Sequence, residues 1–96
     1  MPFENPVSYG DMADDNGMIT AVEAFHNHGR FYKEPDFPMD EDVRTRMLSG
    51  EHYHAHDYFR VLQQRKETMV AFGKAMRSFD ALVMPSSTST APALTN

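Results

Sequence analysis

The chain has no cysteine and no tryptophan. Without thiols there is no disulfide, no thiolate nucleophile and no cysteine-held zinc or iron–sulfur centre. Positive charge is also scarce: nine Lys and Arg stand against fourteen Asp and Glu, for a net charge of −5 and a pI near 5.4. A nucleic acid is therefore not an expected partner, because phosphate-backbone binding rests on Lys and Arg neutralising phosphates. No apolar run approaches the roughly 20 residues a membrane helix needs. The opening Met1-Pro2-Phe3-Glu4-Asn5-Pro6 lacks the basic and apolar regions of a secretory signal. A soluble cytoplasmic chain without membrane attachment is the expectation.

What is present suits one small domain at most. A chain of 96 residues leaves much of its apolar surface near water. Apolar residues are 41% and charged residues 24%, ordinary globular usage, although mean hydropathy is −0.57. Eight Met and seven Phe supply much of the apolar content, and Met packs adaptably, as on a surface that beds against something else.

Residues 1–16 hold prolines, a glycine and Asp14-Asp15-Asn16-Gly17, and read as loop. Helical spacing begins after Gly17, with Met18, Ile19, Val22, Phe25 and His26 on one face, and His28-Gly29 reads as the stop. The aromatic stretch Phe31 to Pro38 is too apolar for a bare linker. A second helix should start near Asp40 and close at Gly50, with Asp40, Glu41 and Asp42 at its first turn and Arg44 and Arg46 towards its last. Val43 and Met47 give it a narrow buried face. In a third helix, positions 55, 58, 62, 65, 69, 72, 76 and 79 make a stripe of about six turns that is apolar or aromatic except at Arg65. Ala81-Leu82-Val83-Met84 reads as a short buried strand before Pro85, and residues 85–96 as loop. The expected fold is thus mostly α, three helices and one short C-terminal strand. A single strand needs neighbours for its backbone hydrogen bonds, and none occurs in this chain. That lack makes 1–96 a single partial domain, marginally stable or self-associated.

The order of these elements resembles the amidase signature family over residues 16–92. Asn16 to Phe25 resembles the family's helix with a Gly-x-Ile start and Ala-Glu-Ala/Gly-aromatic centre. Arg44-Thr45-Arg46-Met47-Leu48-Ser49-Gly50 resembles its Arg-rich turn ending in Gly. Asp57-Tyr58 with Arg65, Phe72 and Phe79 to Pro85, then Ala91-Pro92, resembles its long helix, core strand and Pro-Thr-rich loop, with Ser86-Ser87-Thr88-Ser89-Thr90 departing from the usual wording. The resemblance implies a parent with a mixed central sheet flanked by helices. It implies hydrolysis of carbon–nitrogen (amide) bonds by a Ser–cis-Ser–Lys triad, in which Lys moves the nucleophile's proton through the bridging Ser and backbone N–H groups hold the oxyanion. The family's Lys and Gly-Gly-Ser-Ser region lie upstream of the matching segment. Nothing here resembles them: there is no Gly-Ser-rich stretch, and Lys33, Lys66 and Lys74 stand in unrelated contexts. The chain thus reads as a C-terminal piece with no catalytic residue and no cofactor. Its partners would be the remainder of the domain or a second copy, with a small amide substrate in the parent.

Several residues have two readings. Ser86, Ser87 and Thr88 would line the substrate pocket of an intact relative, but as hydroxyls after a strand they read first as solvated loop. Arg46 could face a substrate carboxylate, as the resemblance to the amidotransferase A subunit implies, or simply complement a helix C-terminus, which is preferred. His52 and His56 have i, i+4 spacing that can hold zinc; without a further ligand beside them or His54, no metal is expected. Arg65 on an apolar face must snorkel to water or pair with an acid, since an unmatched buried charge costs about 3–5 kcal/mol. Glu23 on the first helix is the candidate partner. The alternative to an amidase piece is a small helical interaction module that binds through its Met/Phe-rich face.

Overall fold

The computed structural model describes residues 1–94. It contains α1 (Tyr9–Tyr32), α2 (Glu41–Leu48), a 3₁₀ turn (Ser49–His52) and α3 (Ala55–Ala75). The chain is mostly helical, with three helices and no strand among the described residues. None of these helices is long and apolar enough to cross a membrane.

α1 starts at Tyr9, nine residues before the Met18 that the sequence suggests. Ser8 caps it, its Oγ accepting from the Asp11 N–H at 3.3 Å, and Asp11 adds negative charge to the first turn. The Asn16-Gly17 pair is carried inside the helix, not before it. The helix also runs past Gly29 to Tyr32. Gly29 is not a left-handed stop, since none of the described residues has positive φ. It is buried, and a Cβ there would meet the Phe25 ring at 2.7 Å, so glycine serves packing.

The α1–α2 connection is held by Arg44. Its guanidinium donates to three backbone oxygens, those of Tyr32 (2.6 Å), Glu34 (2.9 Å) and Phe37 (2.7 Å), and its Nε donates to Glu41 at 3.0 Å. In place of Val43, which is exposed, the buried member of α2 is this arginine. The aromatic stretch folds on itself, with Phe31 and Phe37 stacked at 5.5 Å and Arg30 over Phe31 at 4.6 Å. Asp40 caps α2, accepting from the N–H groups of Asp42 and Val43. Gly50 lies in the 3₁₀ turn pressed onto α1. An added Cβ there would fall 2.1 Å from the Ala21 carbonyl oxygen, closer than any real contact.

α3 lies antiparallel to α1. Tyr58 reaches Glu23, while Arg65 and Met69 share a cleft with Met12 and Ile19 nearer the start of α1. Phe3 packs edge-on against Phe72 and Phe79 at 5.7 and 5.8 Å, pinning the N-terminal segment to the far end of α3. α1 is the hub: it packs on α2, the 3₁₀ turn and α3, whereas α2 and α3 do not approach each other.

The expected apolar stripe of α3 is only half covered, with Tyr58, Leu62, Phe72, Met76 and Phe79 half-buried. Met69 is 61% exposed, Ala55 and Arg65 are exposed, and α3 buries Val61 instead. Val61 and Ala21 are the buried apolar residues of the described chain. The helix ends at Ala75, leaving Met76 and Phe79 in a turn. Ala81-Leu82-Val83-Met84 forms no strand: with no second strand to receive its N–H and C=O groups the segment stays irregular, and Val83 is 92% exposed.

Candidate functional site

Three sets of residues were singled out by sequence, and the fold keeps them apart. Arg46 is exposed on α2, its Nε donating weakly to the Asp42 carbonyl at 3.4 Å. It lines an open cleft of about 560 Å³ with Met47, Ser49 and Tyr53 on one side and Ala13 to Ala21 of α1 on the other. Ser86, Ser87 and Thr88 lie exposed in the irregular tail and take no part in that cleft. The tail's hydrogen bond runs from the Ser89 N–H to Ser87 Oγ, at 3.4 Å. A hydroxyl becomes a nucleophile only beside a base that takes its proton. Among the described residues, no imidazole, ammonium or carboxylate is bonded to Ser86 or Ser87.

Glu23 and Arg65 do not form the expected ion pair. The ion pairs among the described residues are Lys33–Glu51, Arg44–Glu41 and Arg60–Asp57. Glu23 instead accepts from the Tyr58 hydroxyl at 2.8 Å. Register explains the difference: Tyr58 is two turns nearer the start of α3 and meets Glu23 directly, while Arg65 faces Asp15 and Ile19. Arg65 is exposed, so snorkelling to water satisfies it. The hydrogen bond to Glu23, with smaller contributions from desolvation and the carboxylate's charge, raises the Tyr58 pKa above its ordinary value.

Against known proteins, the chain matches no family model, no curated sequence and no solved structure. His52, His54 and His56 are exposed, and no group of three or more potential metal donors converges among the described residues. The Tyr58 cleft, about 430 Å³, is lined by Glu23, His26, His54, Tyr53 and Phe59. Its groups can bind polar or aromatic surface, but they include no serine, threonine or cysteine to attack a carbonyl.

Sequence reasoning missed Arg44, the residue with the most hydrogen bonds to other parts of the chain. The signal was available: a Pro-interrupted aromatic segment leaves carbonyls without helix or sheet partners, and an arginine a few residues later carries five donors to meet them.

Proposed function

We propose that this chain is the helical segment of an amidase signature hydrolase, a protein that cleaves carbon–nitrogen bonds of small amides by a Ser–cis-Ser–Lys mechanism. The triad belongs to sequence outside these 96 residues, so the chain alone is inactive. In that setting Arg46, Ser86, Ser87 and Thr88 line the substrate pocket, Ala81-Leu82-Val83-Met84 is a strand of the central sheet, and no cofactor takes part. The supporting observation is that Ala81-Leu82-Val83-Met84 carries a strand's composition, yet Val83 and Met84 are 92% and 51% exposed. An apolar run of this kind stabilises a fold only when neighbouring strands cover it and accept its hydrogen bonds.

A second reading, an interaction module with a Met/Phe-rich face, is favoured by the exposure of Phe59, Met69 and Val70 on α3 at 64%, 61% and 60%. It gives no role to the 81–84 run. Sequencing the DNA around the coding region separates the two. An upstream reading frame encoding a Lys and a Gly-Gly-Ser-Ser-rich segment is expected; its absence removes the amidase reading. The purified chain should hydrolyse no simple amide. Turnover abolished by Ser86→Ala or Ser87→Ala would overturn the claim that the triad lies elsewhere.

A further inference from the structure

The described chain is a single layer of helices. Its radius of gyration is 17.3 Å, against about 12–13 Å for a compact domain of this length. Its accessible surface is 8119 Å², where a folded monomer of 11.0 kDa exposes about 5,600 Å². The surplus is about 2,500 Å². Part belongs to the extended tail, but even a third of it equals what one partner contributes to a standard stable interface, about 800 Å².

The uncovered face lies along the α1–α3 pair. There Met12, Asp15 and Ile19 of α1 and Arg65 and Met69 of α3 line an apolar cleft of about 310 Å³. Asp15 and Arg65 share this cleft without forming an ion pair. The two helices also differ in sign. α1 carries four acids and one arginine, and α3 carries four basic residues and two acids.

From these features we infer that two copies of the chain pack face to face through this cleft, α3 of each lying over α1 of the other. A two-fold axis running between the antiparallel helices, along their length, produces this arrangement. It generates an antiparallel four-helix bundle with Met12, Ile19 and Met69 of both copies at its centre. It sets the acidic helix of each copy against the basic helix of the other and brings Asp15 to Arg65 across the interface twice. The other face-to-face two-fold packing, with its axis across the helices, sets α3 on α3 and α1 on α1, so like charges meet on both helices. This dimer does not rest on the amidase reading: coding sequence tests parentage and solution mass tests association, so the two fail separately.

Sedimentation of the 96-residue chain at high micromolar concentration should give twice 11.0 kDa, dissociating on dilution. Asp15→Arg and Arg65→Glu should each weaken the dimer about tenfold, because each removes two symmetry-related contacts. The two variants mixed in equal amounts should form a heterodimer in preference to either homodimer, since one cleft is then wholly basic and the other wholly acidic. Circular dichroism of each variant confirms that its helices remain. A chain that stays monomeric, or grows into open aggregates, overturns the inference. So does a mixture without preferential pairing, or an Arg65→Glu variant that dimerises more tightly, as α3 on α3 would require.

Discussion

Replacing Arg44 by Ala should be the most damaging single change to the described fold. The guanidinium satisfies the carbonyls of Tyr32, Glu34 and Phe37, at the end of α1 and along the connection to α2. A hydrogen bond from a charged donor contributes about 1.5–3 kcal/mol. Glu34 is exposed, so water replaces the arginine there, whereas Tyr32 and Phe37 are half-buried and lose their donor outright. The loss should come to about 3–4 kcal/mol, a large part of the few kcal/mol that hold a domain this small. In a chain of this length each kcal/mol moves Tm by about 4–8 °C, so the transition should fall by about 12–30 °C. Thermal melts followed by far-ultraviolet circular dichroism on dilute protein measure it. Glu41→Gln is the control: its side chain is 76% exposed, and the pair it forms should contribute under about 1 kcal/mol. If Arg44→Ala melted within a degree or two of the wild type, the clamp would carry no stability. If Glu41→Gln cost as much, the ion pair, and not the carbonyl bonds, would be what matters.

Gly50→Ala should cost about 1–3 kcal/mol, because the new Cβ would overlap the Ala21 carbonyl and backbone cannot swing aside; urea titration reads this as a lower midpoint with unchanged slope. Gly17→Ala should do the opposite, stabilising by about 1 kcal/mol, since the site is mid-helix with open space around it; no gain in melting temperature would place Gly17 outside a stable helix. Because the Tyr58 pKa is raised in the folded chain, its bond to Glu23 contributes stability that is complete below the ordinary tyrosine pKa and is lost as pH climbs through the raised value. Glu23→Ala should return the Tyr58 titration, followed by phenolate absorbance, towards 10.0. An unchanged titration curve would mean that the two side chains do not meet in solution.

Local chemistry was the legible part of this fold. The start of α2 near Asp40, its acidic first turn and the body of α3 follow from nearest-neighbour rules, and the sequence locates them correctly. Glycines misled, because their punctuation value depends on what lies across space. Gly17 sits inside a helix and Gly29 makes room for Phe25, whereas Gly50 does follow the end of α2 but also clears the α1 backbone. The α3 stripe misled for a related reason: periodicity identifies an apolar face but not whether anything covers it. The 81–84 run and the Glu23–Arg65 pairing depend on a neighbouring strand and on helix register, neither of which is written in the residues themselves. Of the candidate site residues, sequence marks the chemistry that each could do, yet Arg46 and the tail serines are brought together by no element of this fold.

The arrangement with α1 as hub has a consequence for how the chain opens. Since α2 and α3 do not approach each other, the helices communicate only through α1. The half of α1 beneath Gly50 and Arg44 is held by close backbone contact and a clamp, with the exposed Tyr58–Glu23 bond as its tie to α3, while its other half meets α3 across open clefts. Amide protons should therefore exchange with solvent in two groups. Those of α3 and the start of α1 should exchange early, through detachment of α3, and those around Ala21 to Tyr32 and α2 should wait for a larger opening. On folding the order reverses: residues 21–50 close first over a short loop, and α3 docks afterwards onto a helix already in place.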